Sequence, residues 1–358
     1  MEVMPPESQS DPRSRFGGAR STRTHSMKRR CFCHDYYDRG IYMVTVETAG
    51  RRPVLGKLAG ERIEKTPIGE AVEACWREIP LHHPEVQLLE HVVMPDHFHG
   101  LLFVRERMRR HLGEVVRGFK IGCTKARNRA IHGAPPDNRA MYGAPPDRAP
   151  PREAGTVAGH TCPALWAPGY HDRILTSRGQ LGILFRYVRE NPRRLAARRR
   201  NPDYFTRINS LPLGGRICAA YGNPFLLNRP DRLQVQCSRR ISEADLAAER
   251  DRLLDAAERG AVLVSPCISP GEKAIARAAL EEGLPLVALV ENGFPPLYKP
   301  PGRYFEACEK GLLLMLAPWP HHAGKRPITR VQCLELNAMA AELCGPGAAA
   351  CDYAGLVP

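Results

Sequence analysis

A chain of 358 residues is long enough to bury two cores of ordinary domain size. Its 52 Lys and Arg against 38 Asp and Glu leave a formal charge of +14, so nucleic acid is the first partner to consider and a merely solvated basic surface is the alternative. No stretch approaches the roughly 20 apolar residues of a membrane span, the N-terminus lacks the apolar core of a signal peptide, and the twelve cysteines are scattered without C-x-x-C. The reading is a cytoplasmic protein with reduced thiols.

Residues 1–30 mix Pro, Ser, Arg and Gly without an apolar pattern and predict a disordered tail. Ile41 to Val46 is rich in β-formers, and Val54 to Leu58 resumes after the Gly50-Arg51-Arg52-Pro53 turn signal, which predicts a hairpin. Ile68, Val72 and Cys75 or Trp76 recur at helical spacing, and Pro80 ends that helix. A strand from Val86 to Val104, interrupted at Pro95, follows. It carries His97 and His99, whose side chains point the same way, about 6.6 Å apart along an extended chain. Two imidazoles on one strand face are the beginning of a divalent-cation site; an isolated H-x-H is also compatible with ordinary packing.

Leu112, Val115, Val116, Phe119 and Cys123 then form an apolar helical stripe, with Arg117, Lys120, Lys125, Arg127 and Arg129 on or beyond the other faces. Such a basic helix is either a solvated face or a phosphate contact. A Pro/Gly/Ala-rich stretch at 131–159, in which His132-Gly-Ala-Pro-Pro-Asp137 is nearly repeated from Tyr142, predicts a flexible insert. Tyr170 to Leu175 reads as a strand and Gln180 to Asn191 as a helix. On that helix Tyr187 and Asn191, four apart, share nearly one face.

Met94-Pro95-Asp96-His97-Phe98-His99, Tyr170-His171-Asp172-Arg173-Ile174 and Tyr187-Val188-Arg189-Glu190-Asn191-Pro192, in this order, resemble the motifs of the HUH-type single-tyrosine transposases, and within them the REP-associated tyrosine transposases. The resemblance covers about residues 34–205. It implies an α+β HUH nuclease domain, an antiparallel sheet with helices, over 31–208. It also implies a divalent metal, Mg or Mn, held by His97, His99 and Asn191, with Tyr187 as the nucleophile and single-stranded or hairpin DNA as substrate. By ligand preference alone, two imidazoles and an amide suit Zn, Mn or Ni at least as well as Mg. Lys120, Arg117, Lys125, Arg127, Arg193 and Arg194 would then flank the DNA. A second copy of the chain is left open as a partner.

After a linker at 209–229, strands alternate with helices: Leu233–Ser238, helix 245–259, Ala261–Ser265, helix 271–282, Leu286–Val290, helix 304–310, Leu312–Leu316 and a closing helix 328–344. This pattern predicts a parallel sheet with right-handed crossovers, an α/β Rossmann-like domain over 230–345 followed by a frayed tail at 346–358. Ligands in such sheets sit beyond the carboxyl ends of strands. Ser238, Ser265, Ser269 and Gly271 are therefore the residues expected at a nucleotide or nucleic-acid phosphate, although Ser269 would serve equally as a simple helix cap. This half also resembles DNA-processing protein A and nucleotide-binding relatives. The expected function is metal-dependent cleavage and strand transfer of single-stranded DNA through a 5′-phosphotyrosine. The alternatives are a domesticated DNA-binding protein that no longer cuts, and nucleotide sensing by the C-terminal domain.

Overall fold

Alternation of Tyr42, Val44 and Val46 with Ile41, Met43 and Thr45 makes Gly40–Glu47 a strand (β1) that buries one face completely. The structure, a computed structural model, describes residues 34–132, 163–324 and 326–345. The chain divides into two units, the first ending at Arg193 and the second beginning at Arg194. The tail expected at 1–30, the end at 346–358 and nearly all of the insert at 131–159 lie outside the described residues; 131–132 belong to a helix.

In the first unit the elements after β1 are β2 (Gly56–Ala59), β3 (Arg62–Lys65), α1 (Pro67–Arg77), α2 (Ile79–His82), β4 (Val86–Val93), β5 (His97–Val104), α3 (Leu112–His132), β6 (His171–Leu175) and α4 (Gln180–Arg200), the last running on past the division. The main sheet has the order β4-β5-β1-β6 and every pairing in it is antiparallel. The expected hairpin between Ile41–Val46 and Val54–Leu58 does not form. Both edges of β1 are taken by β5 and β6, and Gly56–Ala59 pairs instead with Arg62–Lys65 around Gly60, whose φ of 58° suits a tight turn. The single strand expected over Val86–Val104 is two strands folded back at Met94-Pro95-Asp96, where Met94 N–H donates to His97 O. Pro95 sits where no ladder donor is needed.

One face of this sheet, with Tyr42, Val44, Val46, Phe98, Leu102 and Val104, packs under α1 and α3 through Val72, Trp76, Val115, Val116 and Phe119. Gly100 lies on that face because a Cβ there would meet the Trp76 ring at 2.2 Å. The opposite face takes α4: Leu101 is buried with Leu184 and Val188, and Met43, Val92 and Tyr187 pack against them. Thr66 caps α1 by accepting from Gly69 N–H, with Pro67 as the first helical residue.

The second unit holds β7 (Arg207–Leu213), β8 (Arg216–Gly222), β9 (Arg232–Gln234), α5 (Glu243–Glu258), β10 (Val262–Ser265), α6 (Pro270–Glu282), β11 (Leu286–Leu289), α7 (Gly302–Glu309), β12 (Leu313–Ala317) and α8 (Arg330–Cys344). Its sheet, ordered β7-β8-β12-β11-β10-β9, is mixed. The four strands β9 to β12 are parallel, and β8 joins β12 antiparallel with β7 as its hairpin partner. Residues 209–229, expected as a linker, hold most of this hairpin and a short 3-10 turn, Pro224–Asn228. The hairpin turns at Gly214-Gly215, both at positive φ, as a two-residue turn between twisted strands requires. Leu253, Ile275, Ala276 and Cys308 cover one face of the sheet, and Leu336, Met339 and Ala340 of α8 cover the other. The eight described cysteines are all free thiols, and among the described residues no helix is long and apolar enough to cross a membrane.

Candidate active site

The antiparallel register sets Thr45 opposite His99 and Glu47 opposite His97, so β1 and β5 present these four side chains on the face that α4 covers. The two imidazoles converge, with ring centroids 4.6 Å apart at 78°. Tyr187 reaches them from α4: its ring lies 5.6 Å from that of His99, although the residues are far apart in sequence. Asn191, one turn on, is 5% exposed and its amide nitrogen donates to Tyr187 O at 2.7 Å, which leaves Oδ1 as its remaining acceptor. Pro192 follows inside the helix and cannot donate to Val188 O.

Each imidazole is held by a neighbour on its Nδ1. Asp96 Oδ1 lies 2.6 Å from His97 Nδ1, and Thr45 Oγ1 lies 2.7 Å from His99 Nδ1. The hydrogen bond to His97 keeps the Asp96 carboxyl below the usual carboxylate range, and Arg51, 3.3 Å from Asp96 Oδ2 and 3.3 Å from Glu47, acts in the same direction on Asp96. A proton held at Nδ1 leaves Nε2 as the lone-pair nitrogen, the state a metal ligand needs. The donor set therefore fits a divalent cation: two oriented imidazoles on a rigid strand and an amide oxygen on the facing helix. Among the described residues, no group of three or more His, Cys, Asp or Glu is placed to hold a metal ion, so this set has two imidazoles and an amide and no carboxylate ligand. A register shift between Leu88 and Glu90 places a bulge in β4 beside the site, and Glu90 ties α4 to this strand through Arg189 at 2.5 Å.

Of the expected DNA contacts, Arg117 and Lys125 are exposed on α3. Lys120 is half-buried, and its ammonium donates to Ala167 O and Gly169 O at 2.7 and 2.8 Å. Arg127 is 6% exposed, and its guanidinium is spent on Pro163 O and Asn128 Oδ1. Arg193 ends the first unit, and Arg194, in the second, stacks on the Phe305 ring at 4.4 Å.

The expected phosphate loop of the second unit is already furnished with an anion. Ser269 caps α6 by accepting from Glu272 N–H, and Glu272, 3% exposed, accepts from Ile268 N–H, Ser269 N–H and Cys237 N–H at 2.8, 3.0 and 3.3 Å. Ser265 is fully buried and accepts from Cys267 N–H. Ser238 is exposed and accepts from Arg240 N–H. Gly271 leaves no room for a side chain, since a Cβ would lie 3.0 Å from that of Cys237.

Thr45, Asp96 and Glu272 were not singled out by the sequence. Asp96 directly precedes His97 and Glu272 follows Ser269 at capping-box spacing, so both carried a local signal. Thr45 reaches His99 only through strand register, which no local pattern gives.

No family model matches the chain. It is 25% identical to an uncharacterized protein of Haemophilus influenzae over an alignment of 111 residues, which covers 25% of this chain and 62% of that protein's length. Among solved structures it is similar to the REP-associated tyrosine transposase bound to a REP hairpin, at 14% identity and a TM-score of 0.31 over 46% of this chain and 74% of that one. It is also similar to a candidate transposase from Deinococcus radiodurans R1, at 17% identity and a TM-score of 0.25 over 44% and 93%. A third similarity is to DNA processing protein A from Helicobacter pylori, a protein described by its single-stranded DNA binding, at 18% identity and a TM-score of 0.27 over 36% and 57%.

Proposed function

We propose that the first unit cleaves and rejoins single-stranded DNA through Tyr187. The observation that carries this reading is the convergence of His97, His99 and Tyr187 from a strand and a helix about ninety residues apart. A core-packing role alone does not call for two imidazoles with both Nδ1 atoms oriented by polar partners.

The chemistry is a transesterification. Tyr187 Oη gives its proton to solvent and forms the bond to phosphorus, while the 3′ oxygen of the preceding nucleotide leaves with the bonding pair and takes a proton from solvent. The products are a 5′-phosphotyrosine and a free 3′-hydroxyl; attack by a 3′-hydroxyl reverses the step or joins another strand. A divalent ion, when bound by His97, His99 and Asn191, supplies Lewis-acid polarisation of the scissile phosphate. The chain's own residues orient: Asp96 and Thr45 fix the imidazoles, and α4, tied to β4 by Arg189 and Glu90, sets where the phenol stands. The exposed Arg117 and Lys125 of α3 would neutralise the flanking backbone. In the second unit we read the parallel strands and their crossovers as a Rossmann-like domain that guides DNA. Incubation with a labelled hairpin-flanked oligonucleotide and Mg or Mn tests the central reading: a covalent adduct is expected from the parent chain and none from Tyr187→Phe.

A further inference from the structure

The strand β6 carries side chains that the chemistry above leaves unused. Its antiparallel register with β1 sets His171 opposite Thr45 and Arg173 opposite Met43. Directly opposed residues share a face. On this one Thr45 bonds His99, while Met43 and Tyr187 pack against Leu101, Leu184 and Val188. The alternate residues of β6 go the other way: Asp172 accepts from Tyr36 Oη at 2.7 Å, and Ile174 packs into the core under α1 and α3. His171 and Arg173 therefore stand on the face of the histidine pair and Tyr187, one strand beyond Thr45.

Both side chains are exposed, although α4 covers the same face at Leu101 and meets it again at Leu175. β6 is the last strand of its sheet, so the face forms an open ledge here. The cations beside the histidines are spent, Arg51 on Glu47 and Asp96, and Arg189 on Glu90. Arg173 has no hydrogen bond or ion pair among the described residues, so its five donors are available. An arginine on an edge strand can serve simply to discourage pairing with another chain, but that role does not require it to stand on the face that carries the site. A planar guanidinium takes two phosphate oxygens at once, which fixes orientation as well as position. Two strand spacings put β6 about 10 Å from β5, so a phosphate gripped by Arg173 is not the one at the histidines but one beside it on the same DNA strand.

We propose that the β6 ledge holds the phosphate next to the scissile one: Arg173 takes its oxygens in a two-point grip, and the strand between them passes over His171. Arg173 is thus a positioning residue, which sets the scissile phosphate before Tyr187 through its neighbour. The inference rests on single-stranded DNA as the substrate, but not on cleavage. It is tested in the full chain carrying Tyr187→Phe, which separates binding from chemistry. Hairpin-flanked oligonucleotides, each with one phosphate replaced by a neutral methylphosphonate, are titrated by fluorescence anisotropy against this protein with and without Arg173→Ala. At one linkage the replacement should cost about tenfold when Arg173 is present and nothing when it is absent, while at the other linkages the two proteins respond alike. Arg173→Lys, which keeps the charge and loses the fork, should recover part of the affinity. The slope of log affinity against log salt should fall by about one in Arg173→Ala. The cut mapped with the parent chain should lie beside the coupled linkage. Losses that add at every linkage, or a coupled linkage remote from the cut, overturn the proposal and leave an edge charge only. Should Arg173→Ala melt early, Arg173→Gln replaces it, and additive losses there overturn the proposal equally. A parent chain that forms no adduct while Arg173 couples to one phosphate removes the cleavage reading and leaves the grip standing. A Tyr187 adduct with additive losses throughout does the reverse.

Discussion

Removing the Asp96 carboxylate is expected to weaken metal binding while leaving both histidines in place. Its Oδ1 is 2.6 Å from His97 Nδ1, a charge-assisted hydrogen bond worth about 1.5–3 kcal/mol between well-placed partners. The Asp96 side chain is 30% exposed, so solvent screening puts the effect toward the lower end. Loss of an outer-shell partner of a ligating histidine typically costs about 10–100-fold in metal affinity, or roughly 1.4–2.7 kcal/mol, which agrees with that range. Asp96→Asn keeps a neutral acceptor and Asp96→Ala keeps none, so Mn affinity should fall in the order parent, Asn, Ala. Arg51 retains Glu47 as a partner in both variants, which limits collateral disturbance. Isothermal titration with Mn, alongside thermal unfolding to confirm the fold, measures the series. Equal Mn affinity in all three proteins would refute the reasoning that Asp96 orients a ligand.

Further consequences concern folding and the second unit. Gly100→Val should destabilise the first unit by about 1–3 kcal/mol or more, because its Cβ would enter the Trp76 ring; urea unfolding measures it. Burial pushes Glu73 up, but hydrogen bonds from Lys65 and His91 outweigh it and hold the carboxyl below its ordinary value. A depressed carboxyl stabilises the fold above its unfolded pKa of about 4.3, and that contribution is lost as pH falls through the folded value. Glu73→Gln should therefore be less stable than the parent at pH 6 and converge with it toward pH 3 in denaturant titrations. Glu272→Ala exposes three backbone N–H groups that its carboxylate now satisfies. It should lower the melting temperature, and inorganic phosphate should restore stability in the variant more than in the parent.

The parts of this fold that were legible in the sequence are those coded locally. The amphipathic spacing of Leu112, Val115, Val116 and Phe119, the Ser269 cap three residues before Glu272, and the alternation of strand and helix from β9 to β12 all mark elements through neighbours within a turn or two. What failed was pairing. Val54–Leu58 looked like the return strand of β1, yet β1's edges belong to β5 and β6, and only the assembled sheet decides between such partners. The linker that is a hairpin fails for a related reason: Arg207–Leu213 alternates weakly and takes its strand character from β8, which is anchored on β12. At the site, His97, His99, Tyr187 and Asn191 were legible as motif residues. Thr45 depends on strand register, which no local pattern carries. Arg127 shows the limit of charge patterns, since a basic residue on a basic helix is here buried on a carbonyl.

The most direct test of the account is the chemical identity of the covalent link. Parent protein incubated with hairpin-flanked single-stranded oligonucleotide and Mn is digested, and the nucleotide-bearing peptide sequenced by mass spectrometry. The account predicts a 5′-phosphate ester on Tyr187, its loss in Tyr187→Phe, and its loss when the metal is chelated. An adduct on another residue, or one that persists undiminished in Tyr187→Phe, would contradict it.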